Sequence, residues 1–252
     1  MTIEFASDMP AHSSRSLPDF LVIGVTKGGT TALIRNLGRH PDVYTARDGK
    51  SQELHFFNKK WDMGLDWYRK HFIEPEKLQG EKTPNYLMSP LAHARMAATV
   101  PNAKLIISVR NPVDRAYSHW NHFNQVAHRK AGWDWRVMDF QGAIRQPDRT
   151  MSTLINSGYY MKHIRKLLKF YPRNQIHIII SERLRKNPDG EYSKLLEFLN
   201  LKEAPIPFRN EHERDYEEPI DPRIRQLLAE HYQVSNMGLA DFLNDEIPEW
   251  SI

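Results

Sequence analysis

Four apolar runs punctuate the chain: Phe20-Leu-Val-Ile-Gly-Val25, Leu54-His-Phe-Phe57, Lys104-Leu-Ile-Ile-Ser-Val109 and Gln175-Ile-His-Ile-Ile-Ile180. Their near-continuous hydrophobicity predicts strands buried on both faces, as in a parallel sheet covered by helices. Between them, apolar positions recur at helical spacing and predict helices over Thr30–Arg39, Leu65–Phe72, Leu91–Val100, Pro112–Ala127 and Tyr160–Phe170. Pro112 stands where a first-turn proline is tolerated. Two further helices, Tyr192–Leu199 and Arg223–Tyr232, follow the last run. Strand–helix alternation of this kind predicts a single α/β domain, a P-loop-like, doubly wound parallel sheet flanked by helices. Residues 1–18 read as a flexible tail and 19–252 as the domain, since no repeat, low-complexity tract or Gly/Ser-rich linker divides them. In such sheets ligands bind beyond the carboxyl ends of the strands.

The first run leads into Gly24-Val-Thr-Lys27-Gly28-Gly29-Thr30-Thr31 and then a helix. Glycines let backbone N–H groups turn inward, and a helix N-terminus favours an anion. Gly24 and Gly29 keep the spacing of the Walker A loop, and Thr31 holds its Ser/Thr place. Thr30 stands where the Walker lysine would be, and the lysine has moved inside the loop to Lys27. A phosphate cradle is therefore expected without the usual NTPase lysine. The plainer alternative is a glycine-rich strand-to-helix turn.

A second anion site is suggested where the third run ends in Arg110 and Ser118 follows about two turns into the next helix. A guanidinium and a hydroxyl can grip a phosphate by charge-assisted hydrogen bonds. Alternatively, Arg110 pairs with Asp114 and Ser118 simply packs in its helix.

These motifs together resemble the phosphate-binding segments of sulfotransferases that use 3′-phosphoadenosine-5′-phosphosulfate (PAPS). The likeness is greatest to the branch holding heparan sulfate sulfotransferases and bacterial relatives, including sulfotransferase domains of polyketide synthases. It is carried by Gly24 to Leu33, Glu53-Leu-His-Phe-Phe57, Gly80-Glu-Lys-Thr-Pro-Asn-Tyr86 and Leu105 to Ser118. Ser157-Gly-Tyr-Tyr160 and Arg214-Asp-Tyr216 add fainter support. The resemblance implies a PAPS-dependent O-sulfotransferase, with adenosine 3′,5′-diphosphate as co-product and a sugar, lipid or polyketide-like hydroxyl as acceptor. It implies donor binding by Lys27, Gly28, Gly29, Thr30, Thr31, Arg110, Ser118 and Arg214.

The resemblance also makes Glu53 the base for the acceptor hydroxyl. Strand alternation would set Glu53 and His55 on one face, with His55 either an alternative base or the group that orients Glu53. Lys27 and Lys82 would neutralise charge near the transferring group. The plainer readings are a surface Glu53, a core His55, and Lys82 paired with Glu81 or another acid. Family members often carry Lys-Gly-Arg over the 3′-phosphate; here the stretch is His212-Glu213-Arg214, keeping only the arginine.

Composition narrows the partners. The 252 residues carry 35 basic and 31 acidic side chains, a net +4 that suits a phosphorylated ligand but is too weak to argue for nucleic acid. No cysteine is present, which excludes disulfides, thiolate metal ligands and a cysteine nucleophile from these residues. The first eighteen residues lack a signal-peptide apolar run, and no segment approaches the ~20 apolar residues of a membrane span, so a cytoplasmic protein without membrane insertion is expected. His119 and His122 form an i, i+3 pair, but no HExxH pattern or fitting carboxylate accompanies it, and no metal is expected. Trp133 and Trp135, beside Arg129, Lys130 and Arg136, read either as an acceptor rim or as core and surface residues. Tyr159 or Tyr160 could face adenine or acceptor. The competing functions are a P-loop small-molecule kinase, which Thr30 argues against, and an inactive nucleotide-binding interaction module.

Overall fold

The computed structural model describes residues 17–129, 139–145, 149–204, 208–209 and 219–251. Its strands are β1 (Phe20–Gly24), β2 (Val43–Thr45), β3 (Leu78–Lys82), β4 (Lys104–Val109) and β5 (Ile176–Ile180), forming one sheet in the order β2-β3-β1-β4-β5. Every pairing is parallel. The helices are α1 (Thr30–Leu37), α2 (Phe56–Lys59), α3 (Leu65–Arg69), α4 (Pro90–Thr99), α5 (Pro112–Arg129) and α6 (Phe140–Arg145). They continue with α7 (Arg149–Asn156), α8 (Tyr160–Leu167), α9 (Ser181–Lys186), α10 (Pro188–Leu199) and α11 (Pro222–Leu243). None of these helices is long and apolar enough to cross a membrane.

The two-residue period of β1 divides the core between the sheet faces. Leu21 and Ile23 join Leu105 and Ile107 beneath Met96 of α4 and Ile164 of α8. Phe20 and Val22 join Ile106 and Ile179 beneath Leu33 and Leu37 of α1. Each such side chain contributes roughly 1.5–3 kcal/mol when fully buried, which is why both faces must be covered. The expected doubly wound α/β sheet is the one observed.

Three of the four predicted strands form. Leu54–Phe57 does not: its aromatic pair begins α2, and His55 turns the chain with φ 55°. Both phenylalanine rings pack on one aromatic cluster instead of alternating across a sheet. Phe56 stacks on Tyr68 at 4.3 Å, and Phe57 meets Tyr86 edge-on at 5.4 Å. The strand that does lie beside β1 is β3, Leu-Gln-Gly-Glu-Lys, which has one apolar side chain. Gly80 is required there because a Cβ would come within 2.3 Å of the Phe20 ring. Helix α11 runs 22 residues, well past the predicted Tyr232, from an Asp221 cap that accepts from Arg223 N–H at 2.8 Å.

Candidate active site

The carboxyl ends of β1, β3 and β4 meet at the loop Gly24–Thr31. Val25 N–H donates to the Ser108 carbonyl of β4, and Gly28 N–H to the Val25 carbonyl, both at 2.9 Å. Lys27 and Gly29 are left-handed, with φ 70° and 88°. At Gly28 a Cβ would lie 2.2 Å from the Ser108 carbonyl oxygen, so only glycine allows this approach. Gly29 caps α1 without any side-chain hydrogen bond to its first turn, the condition in which a helix N-terminus receives an anion.

Lys82 ends β3 beside this loop. Its ammonium, almost fully buried, lies 2.9 Å from Glu53 Oε1 and 3.3 Å from Thr31 Oγ1. His55 Nε2 lies 3.1 Å from the other carboxylate oxygen of Glu53, while His55 Nδ1 is buried without a partner. The structure thus brings Glu53, His55 and Lys82 together and joins them to the loop through Thr31. The left-handed turn at His55, not strand alternation, aims the first two at each other. Burial pushes the Glu53 carboxyl up, but the His55 hydrogen bond and the Lys82 charge outweigh it and set its pKa at about 2. The Glu81 partner considered for Lys82 is excluded, since Glu81 lies on the opposite face among tyrosines.

Arg110 follows β4 directly. Its Nε is buried without a partner, and its carbonyl accepts from Tyr160 Oη at 2.6 Å. Asp114 pairs instead with Arg225 at 2.7 Å, so the alternative Arg110–Asp114 pair does not form. Ser118 is buried two turns into α5.

The sulfotransferase domain profile matches residues 17–238. The chain belongs to the sulfotransferase family. It is 36% identical over 201 residues to human heparan sulfate glucosamine 3-O-sulfotransferase 3B1, covering 78% of this chain and 50% of that protein. It is 30% identical over 274 residues to the bifunctional heparan sulfate N-deacetylase/N-sulfotransferase 1 of Caenorhabditis briggsae, covering 94% of this chain and 32% of that protein. The chain therefore spans half or less of the length of these curated relatives. Among solved structures, a sulfotransferase from Alicyclobacillus acidocaldarius superposes with a TM-score of 0.76 at 25% identity, covering 92% of this chain and 98% of that one.

Sequence reasoning missed one part of this candidate site. A cavity of about 480 Å³ opens at Glu53 and Lys82 and is lined by Arg35 of α1, by Arg39 just past its end, and by Arg47 and Lys50 after β2. The available signal was the pair of arginines four residues apart at the end of the helix that follows the glycine-rich loop. The remaining residues singled out in the sequence are placed as follows. Tyr160 is fully buried and Tyr159 Oη meets His231. His119 is buried against Arg115, and desolvation pushes its pKa down to about 3. His212, Glu213, Arg214, Lys130, Trp133, Trp135 and Arg136, and the side chain of Arg129, lie outside the described residues.

The Glu53 pKa has a sign that can be checked. A depressed carboxylate adds stability that is complete above its unfolded value of 4.5 and is lost as pH falls through about 2. Lys82→Met removes the charge and its hydrogen bond but leaves the desolvation and the His55 hydrogen bond, so the Glu53 carboxyl should titrate higher than in the wild type. Carbon-13 NMR of the side-chain carboxyl measures both proteins. An unchanged titration in the variant would show that Lys82 does not hold Glu53 ionised.

Proposed function

We propose that this chain is an O-sulfotransferase that takes a sulfuryl group from PAPS and passes it to an acceptor hydroxyl. One observation carries the reading: the anion-ready loop Gly24–Thr31 touches, through Thr31, the cluster of Lys82, Glu53 and His55. A nucleotide with two phosphate positions fits these residues. Gly28 gives the backbone an approach that a Cβ would block, and the orphaned Arg110 Nε is a buried donor in need of an acceptor.

In this reading the bound donor supplies an activated sulfuryl group for in-line transfer. Lys27 and the backbone of Gly28 to Thr31 hold its 5′-phosphosulfate. Arg110 and Ser118 hold its 3′-phosphate, with Arg214 as a further contact. Glu53 takes the proton of the acceptor hydroxyl, and His55 orients the carboxylate. Lys82, already bound to Glu53, offsets charge at the transferring group, and Lys27 offsets charge on the leaving phosphate. No metal has a task in this scheme. The basic cavity beside Glu53 favours an acceptor that carries acidic groups near its hydroxyl, and the names of the relatives make an acidic saccharide the first candidate. Thr30 in the Walker lysine position weighs against a kinase.

Donor discrimination tests the function. Charge-assisted hydrogen bonds contribute roughly 1.5–3 kcal/mol each. Two of them to a 3′-phosphate give a preference of ~10²-fold or more for adenosine 3′,5′-diphosphate over AMP, since ~1.4 kcal/mol is tenfold. Calorimetry should find this preference in the wild type and its collapse in Arg110→Ala, with AMP affinity largely kept. Equal binding of the two nucleotides by the wild type, or tighter binding of ATP, would refute the assignment.

A further inference from the structure

Lys82 and Glu81 are neighbours on β3, and alternation sends them to opposite sides of the sheet. Lys82 faces the phosphate loop, whereas Glu81 has no solvent exposure. A buried carboxylate is costly unless hydrogen-bonded, and apolar residues of similar volume often stabilise a core at least as well. Both Glu81 oxygens are engaged here. Tyr86 Oη donates to Oε1 at 2.8 Å, Tyr68 Oη to the same oxygen at 3.1 Å, and Thr83 Oγ1 to Oε2 at 2.8 Å.

A hydroxyl has a single proton to give. Once that proton points at Glu81, the oxygen is left to accept, and two of the three hydroxyls accept from the segment that carries Glu53. His55 N–H donates to Thr83 Oγ1 at 3.2 Å, and Phe57 N–H donates to Tyr86 Oη at 3.3 Å. These two N–H groups bracket the left-handed turn at His55. Tyr68, the third donor, packs its ring on Phe56.

We propose that Glu81 is a positioning residue for sulfuryl transfer: through Thr83 and Tyr86 it fixes the turn that presents Glu53 and His55 to Lys82 and the phosphate loop. This rests on the roles given above to Glu53 and His55. It explains why a carboxyl group occupies a core position, for its two oxygens, by accepting from both relay hydroxyls, set their direction at once. A leucine would fill the space and leave those rotors undirected.

The test compares Thr83→Val, which cuts one relay, with Tyr68→Phe, which takes a donor from Glu81 but no anchor from the turn. Thr83→Val should lower kcat on the order of ten- to a hundredfold, as small misplacements of reacting groups do. Affinity for adenosine 3′,5′-diphosphate should hold, and Thr83→Ser should restore turnover. Tyr68→Phe should keep kcat near the wild-type value. In a Glu53→Gln background Thr83→Val should cost nothing further, because its effect passes through the missing carboxylate. Should Thr83→Val not fold, Tyr86→Phe makes the same comparison. Equal losses in Thr83→Val and Tyr68→Phe, or the same loss with and without Glu53, would overturn the proposal. Full activity of Glu53→Gln alone would instead remove the assignment of Glu53, and this proposal with it.

Discussion

Glu53→Gln should lower kcat by ~10²–10⁴-fold, the usual cost of losing a general base, while donor affinity changes little. Glutamine keeps the shape of the side chain and one carbonyl oxygen, so it can still accept from His55 or Lys82. It cannot take a proton from an acceptor hydroxyl. The geometry makes the experiment discriminating, because both carboxylate oxygens are already engaged, at 2.9 Å by Lys82 and at 3.1 Å by His55. A pKa of about 2 keeps Glu53 ionised at neutral pH, so loss of turnover there in the variant reports loss of the carboxylate itself. Turnover of labelled donor and calorimetric binding of adenosine 3′,5′-diphosphate separate the two effects. If His55→Ala is crippled and Glu53→Gln is not, the base is His55. Run with chelator and no divalent cation, the wild type should keep its activity; strict magnesium dependence would favour a kinase.

The second large effect belongs to the loop. Lys27→Ala should cut turnover by ~10²–10³-fold, comparable to removing one preorganised donor from a site of developing charge. Alanine is the informative replacement here because Lys27 has φ 70°. Both residues carry a Cβ and bear the same left-handed strain, so the loss measures the ammonium and not the backbone. The exposed Lys59→Ala controls for net charge and should turn over normally. Near-normal turnover in Lys27→Ala, with the fold intact by circular dichroism, would make the loop a structural turn only.

The candidate site is a composite of short-range and long-range features. The strand–loop–helix at Gly24–Thr31 was legible because its signal is local: a buried apolar run, glycines at fixed spacing and a following helix lie within a dozen residues. The strand-to-helix junction that carries Arg110 and Ser118 was legible for the same reason. The Glu53–Lys82 contact joins residues 29 apart, and no periodicity in the chain announces it. The resemblance supplied both residues, but not the fact that they touch.

Local hydrophobic pattern determined β1, β4 and β5, since a run such as Leu-Ile-Ile-Ser-Val can be satisfied only between two apolar layers. The same rule misplaced a strand at Leu54–Phe57 and overlooked β2 and β3. There the deciding interactions come from elsewhere in the chain. Phe56 and Phe57 follow the rings of Tyr68 and Tyr86. Glu81 is admitted to the core because Tyr68, Thr83 and Tyr86 bring it hydroxyls. A polar group's cost of burial depends on its partners and not on its neighbours in sequence. Thus the sequence by itself determined the sheet's central strands and the glycine-rich strand-to-helix loop, while tertiary structure decided where the carboxylate, the second lysine and the basic cavity meet.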